Sequence, residues 1–247
     1  MKDYPILRNA PIVETIVDIQ AKISSECDIN KLQNMYDFIK EQYPNRYENI
    51  VGDFQVDLKK VETSIQPNIR PSGYRYSSVD EKQIVQTKLD GFTFHRLHPY
   101  EGWGNLRDEA KRLWAIYLNM ADPELISRLA LRYINNIKLP ISVDLDDYFT
   151  APPSVPKGLP QELSGFFYRI AIYNKQLDAK AIITQALEPT IFAEVKEVQI
   201  ILDVDVFIYR HDGINVENVW DEIERLRDFK NKIFFSSITD KLKEMYS

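Results

Sequence analysis

Val85–His98 reads VQTKLDGFTFHRLH, and Val198–His211 reads VQIILDVDVFIYRH. The two stretches agree at their valine, glutamine, leucine, aspartate, phenylalanine and histidine positions at a constant offset of 113 residues (198 against 85, 211 against 98). A segment with helical patterning follows each. There Asn105/Asn218, Asp108/Asp221, Glu109/Glu222, Arg112/Arg225 and Leu113/Leu226 keep the same offset. A match that holds its spacing over strand and helix together predicts an internal repeat. It also makes a local prediction. Asp90-Gly91 is a hairpin dipeptide by itself, but its counterpart Asp203-Val204 lies inside unbroken alternation. The repeat therefore predicts a bulge or bend at Gly91 with the strand running on. It also places His98 and His211 at equivalent strand ends.

Outward from these stretches, the periodicities alternate between two and 3.6. Val13, Thr15, Val17, Ile19, Ala21 and Ile23 alternate with polar residues and read as a half-buried strand. Asp28 is placed to cap a helix whose face is Ile29, Leu32, Met35, Tyr36, Ile39 and Tyr43. Val51, Phe54, Val56 and Leu58 suggest a strand, as do Tyr74–Ser78 and Lys82–Leu97, joined at Val79-Asp80-Glu81. Leu106, Ala110, Leu113, Trp114, Tyr117 and Leu118 form a core-facing helical stripe. Leu129–Ile137 begins the second half as a strand, and Asp144–Phe149 suits a short helix. The proline-rich stretch 151–160 breaks regular structure. Phe166–Tyr173, Ala179–Leu187 and Glu197–Arg210 read as strands. Val216, Val219, Trp220, Ile223, Leu226, Phe229 and Ile233 close the chain with a helix stripe.

The expected fold is α+β: two pseudo-repeated β-α-β-β-β-α halves, residues 1–122 and 123–247, forming mainly antiparallel sheets covered by helices and packed as one globular unit. The chain has 247 residues, 44% hydrophobic, enough for a substantial core. A formal net charge of −6 argues against nucleic acid as a partner. One cysteine, Cys27, excludes an internal disulfide and a cysteine zinc cage. No stretch reaches the roughly 20 apolar residues of a membrane helix, and the N-terminus lacks the apolar run of a signal peptide. These features predict a cytoplasmic protein with no membrane partner.

Several segments carry a family resemblance: Leu7–Glu14 (LRNAPIVE), Phe92–Trp103 (FTFHRLHPYEGW), Leu131–Ile137 (LRYINNI) and Lys232–Thr239 (KIFFSSIT). In this order, over nearly the whole chain, they resemble a sporadically distributed family of prokaryotic proteins of about this length with no assigned function. The resemblance implies a stand-alone prokaryotic protein with a possible link to mobile or defence genes. It supplies no catalytic residues.

The residues themselves offer weak ligand-binding candidates. His95 and His98, with Tyr100 and Glu101, form the most site-like cluster. Three residues apart on one strand, however, their imidazoles face opposite ways, and no second ligand pair accompanies them, so no metal is assigned. Tyr100 and Trp103, between a strand and a helix, suit either ligand stacking or fastening the helix to the sheet. Arg132 and Asn136 share a strand face. A buried Arg132 needs a carboxylate or phosphate, from a ligand or from Glu14, Asp18, Asp90 or Asp203. Asp203 and Asp205 share a face and read as a solvated pair. There is no glycine-rich phosphate loop, no G-x-S-x-G elbow and no Cys/His nucleophile pair, and no cofactor is implied.

Three functions follow as expectations. The first is a non-catalytic binding or interaction protein, acting in a complex or as a homodimer through the apolar cluster Ile233, Phe234, Phe235 and Ile238. The second is a metal-dependent hydrolase of phosphate esters, which requires His98, Arg132 and an acidic side chain to meet in one cleft. The third is a small-ligand sensor, which requires a residual cavity between sheet and helix.

Overall fold

The computed structural model describes residues 4–24, 27–53, 68–141, 143–187 and 197–247. Among the described residues, nine antiparallel strands form one continuous sheet: β1 (Ile12–Ile23), β2 (Asn45–Asp53), β3 (Asn68–Ser77), β4 (Gln83–Lys88), β5 (Gly91–Leu97), β6 (Pro123–Pro140), β7 (Phe166–Asn174), β8 (Ala179–Leu187) and β9 (Glu197–Ile214). Their spatial order is β2-β3-β4-β5-β1-β6-β9-β8-β7. The helices are α1 (Ile29–Gln33), α2 (Met35–Ile39), α3 (Trp103–Ala121), α4 (Val219–Ser237) and α5 (Asp240–Met245).

This corrects the expected α+β fold of two β-α-β-β-β-α halves. Strand makes up 45% of the described residues and helix 28%, so one large sheet dominates. Between β6 and β7, the only helical turn among the described residues is a 3₁₀ turn at Leu145–Asp147. The proline-rich stretch that follows denies the donors a longer helix needs.

The second correction concerns Gly91. β4 and β5 pair antiparallel through Lys88↔Gly91 and Val85↔Phe94, so Leu89-Asp90 is a tight reversal. The first stretch of the apparent repeat is thus two strands, whereas Val198–His211 lies within the single strand β9. His98 follows the end of β5, but His211 sits inside β9, so the two are not equivalent. Gly91 has a positive φ of 151°, and a Cβ there would lie 2.2 Å from the Ile19 carbonyl oxygen of β1. The glycine answers to close backbone approach by the next strand. The aspartate-glycine dipeptide carried more information than the offset match.

Alternation decides which face each strand buries. Val17, Ile19, Phe92, Phe94, Leu129, Leu131, Val204 and Val206 lie on one face and are fully buried. That face receives Leu113, Trp114 and Tyr117 from α3, and Ile223 and Leu226 from α4. α4 lies across β6 and β9, while α3 reaches β5. Asp28 caps α1 through its carboxylate, which accepts from the Lys31 amide at 2.9 Å. The expected single helix after β1 is two short ones that keep Leu32, Met35, Ile39 and Tyr43 buried. Phe54, Val56 and Leu58 lie outside the described residues. The other sheet face carries Glu14, Asp18, His95, Arg128, Arg132, Asp203 and Asp205. Among the described residues, no helix is long and apolar enough to cross a membrane.

Candidate functional site

The two sheet faces divide the residues singled out in the sequence. His95, Arg132 and Asn136 stand on the face without helices. His95 Nδ1 lies 2.7 Å from Glu14 Oε1, and its Nε2 lies 3.1 Å from the Gln86 amide nitrogen. That amide nitrogen only donates, so Nε2 accepts and Nδ1 donates to the carboxylate. Both ring nitrogens are thereby occupied. The bond from His95 holds Glu14 below the usual carboxylate range, opposed by partial burial. Arg132 makes a bidentate pair with Asp203, at 2.9 Å and 2.6 Å. Arg128 lies between Asp18 (3.5 Å) and Asp205 (3.7 Å) with its guanidinium over the Phe207 ring. Burial pushes both of those aspartates up, against the pull of Arg128. Asn136 donates to Gln199 at 2.7 Å. This is an ion-pair network tying β5, β1, β6 and β9 together.

His98 sits elsewhere, exposed just after β5, with its ring near the Ile12 carbonyl at 3.4 Å. No contact joins it to Arg132, which pairs with Asp203 instead. The expected docking cluster also has an internal explanation. Ile233, Phe234 and Ile238 are buried within the chain, and Tyr4 stacks on Phe235 with ring centroids 5.3 Å apart.

Tyr100 and Trp103 do come together, on the helix-bearing side. They border a cavity of about 450 Å³ between the N-terminal segment Tyr4–Ala10, the start of α3, β6 and α4. Gly102 precedes α3 at φ 102°, a conformation favouring glycine, and turns the chain so that Trp103 opens the helix. The Trp103 indole N–H donates to Glu224 of α4 at 2.7 Å, and Arg227 lies over the indole ring. Glu224 also accepts from Arg107 and lies 3.6 Å from Arg227. One carboxylate thus clamps α3 to α4 and balances the Arg227 charge. Tyr100 and Tyr133 meet hydroxyl to hydroxyl at 3.2 Å, their rings edge to face. Burial raises the pKa of both phenols, so they remain O–H groups.

From α4 the cavity receives Arg227, Lys230, Asn231 and Phe234, one face of the helix at spacings of three, one and three. Lys230 is the exceptional member. It is only 8% exposed, and its ammonium nitrogen lies 3.7 Å from the centre of the Tyr133 ring. Among the described residues, no hydrogen bond or carboxylate reaches it. Burial, reinforced by the Arg227 charge, pushes its pKa down to about 7. Asn135, next to Asn136 but on the opposite face, is buried at the cavity floor and donates to the Leu202 carbonyl at 2.9 Å.

Sequence reasoning found Tyr100 and Trp103 and missed Lys230 and Arg227. A signal existed. Val219, Ile223, Leu226, Lys230 and Ile233 step along α4 at 4, 3, 4 and 3 residues, so Lys230 occupies a core position of the apolar stripe. No protein-family model matches this chain, and no curated protein matches it.

Proposed function

We propose that this protein is a non-catalytic small-molecule-binding protein whose ligand occupies the cavity between the N-terminal segment, α3, β6 and α4. The ligand has a planar, mostly apolar body and one oxygen-bearing polar end directed at Lys230. The observation that carries this reading is the buried lysine, without a counter-charge among the described residues, at an aromatic-walled cavity of about 450 Å³. A volume of that order holds a molecule of one or two rings. Tyr100, Trp103, Tyr133 and Phe234 supply flat apolar walls, and a buried amine needs a partner that none of the described residues provides.

Saturation-transfer NMR with a panel of one- and two-ring aromatic carboxylates, 1-naphthoate among them, tests the reading. The expected result is saturable one-to-one binding by at least one panel member, weakened about ten-fold or more in Lys230→Met, as befits loss of a charge-assisted contact. A wild-type protein that binds none of them, or binding indifferent to Lys230→Met, overturns it.

A further inference from the structure

Building on the small-molecule reading of this cavity, we infer that Lys230 is its reactive group: the amine condenses reversibly with the carbonyl carbon of an aldehyde or ketone ligand, holding it as an imine. The inference rests on that reading and narrows the ligand to a carbonyl compound with an aromatic or otherwise flat body.

The placement of the amine carries the argument. Most buried lysines either extend their ammonium to water or meet a carboxylate. Lys230 has no ion pair among the described residues, and at 8% exposure its ammonium has little access to water beyond the cavity that it lines. Glu224, the carboxylate of α4 nearest the cavity's arginine, is taken by Trp103, Arg107 and Arg227. Arg227 lines the same cavity and adds a permanent positive charge beside the amine. A lysine desolvated among aromatic rings and next to another cation is the arrangement that activates an amine as a nucleophile. Its proton affinity falls accordingly, to a pKa of about 7, so a large fraction is neutral at physiological pH. The Tyr133 ring 3.7 Å from the nitrogen packs one side of the amine, whose open side is the cavity.

The chemistry balances without a co-reactant. The nitrogen lone pair forms a C–N bond as the carbonyl π bond opens. The two protons the nitrogen gives up leave with the former carbonyl oxygen as one water, and a C=N bond remains. Hydrolysis by the reverse path releases the ligand unchanged, so the event is covalent capture and not turnover.

The experiment treats the full-length wild-type chain with 1-naphthaldehyde at pH 7 in the presence of cyanoborohydride, which fixes any imine as a stable secondary amine. Intact mass and peptide mapping then locate the adduct. The expected result is one adduct per chain at Lys230, formed about ten-fold or more faster than at the exposed Lys22, since only the neutral amine reacts. Because the readout is a position on the wild-type chain, it does not depend on a variant folding. 1-Naphthoate binding, measured in parallel, separates the two ideas. If naphthoate binds through Lys230 but aldehyde labels only exposed lysines, the imine is refuted and Lys230 is a cation for carboxylates. If neither probe engages Lys230, both readings fall.

Discussion

Replacing Lys230 with methionine should make the protein more stable, by an amount that depends on pH in a particular way. Folding takes the lysine from its ordinary value near 10.5 down to about 7. A difference of that size corresponds to roughly 4–5 kcal/mol of stability forgone at pH 7 and below. Above pH 10.5 the amine is neutral in both folded and unfolded chains, and nothing is lost. Between pH 10.5 and 7 the unfolded chain takes up the proton while the folded chain resists, so stability falls by about 1.4 kcal/mol per pH unit as pH drops. Below pH 7 both forms are protonated and the loss levels off. Methionine fills the same channel without a charge, but the favourable placement over Tyr133, about 1–2 kcal/mol, disappears. The groups facing the position are Arg227 and Asn231 from its own helix, Tyr133 from β6 and Tyr100 ahead of α3, with Glu224 behind Arg227. The net expectation is a gain of about 2–3 kcal/mol at pH 6 that vanishes as pH approaches 10. Urea unfolding of both proteins at pH 6, 7, 8, 9 and 10 measures it, and subtraction cancels every titration common to the two. Parallel stability curves, or a variant less stable at pH 6, would refute the picture of an unpartnered buried amine.

Two further substitutions test the sheet. Gly91→Ala places a Cβ against the Ile19 carbonyl oxygen at a positive φ, and should cost about 2–3 kcal/mol, a fall in melting temperature of about 5–10 °C. An unchanged melting temperature would mean β1 and β5 do not approach as described. Arg128→Met leaves Asp18 and Asp205, both already raised by burial, without their shared cation. Carboxylates with raised values contribute stability that is present at low pH and lost as pH rises through the folded value, and losing the arginine exaggerates that trend. The variant should be destabilised by about 2–3 kcal/mol at pH 7 and by much less at pH 5. Equal losses at both values in urea unfolding would count against a shared-cation arrangement.

The strands that alternate cleanly were legible, because a half-buried strand writes its face into the sequence. Glu197–Arg210 read as a strand, and its alternating Ile200, Leu202, Val204, Val206 and Ile208 are buried on one face, with Val198 half-buried beside them. The bidentate partner of Arg132 was among the four acidic residues considered, and Asp203 is that partner. What failed was the inference from copy to copy. Strands and amphipathic helices share composition, so scattered identities at a fixed offset carry less weight than local turn chemistry, and the Leu89-Asp90 reversal won. Nor did the two-period pattern reveal a single sheet, since the pairing of β1 with β6 is a long-range choice that neither strand encodes alone. The cavity was half legible. Tyr100 and Trp103 drew notice as aromatics between strand and helix, but Lys230 did not. An apolar stripe is found by counting apolar residues, and a lysine within it is passed over as noise.

That omission points to a criterion more useful than residue type. His95, Arg132 and Asn136 attracted attention because such side chains perform chemistry in many proteins. In this fold His95 is met by Glu14 and Gln86 and Arg132 by Asp203, while Asn136 donates to Gln199 and keeps a buried oxygen without a partner. A satisfied polar group on a sheet face holds strands in register and has little left to offer a ligand. Lys230 belongs to a residue type usually dismissed as surface, yet it is the buried charge-bearing group whose partner the described residues do not contain. Its burial is expected to make the fold less stable than methionine would, and a sequence departs from local consistency most often where a site must be kept open. The same number, a pKa of about 7, sets both the stability lost and the fraction of amine free to react. If urea unfolding shows the pH-dependent gain for Lys230→Met while the wild type captures aldehyde at that position, cost and use are established on one nitrogen. If the gain appears without capture, the amine is still without a partner in the fold, and a carboxylate ligand remains as the reason for its presence.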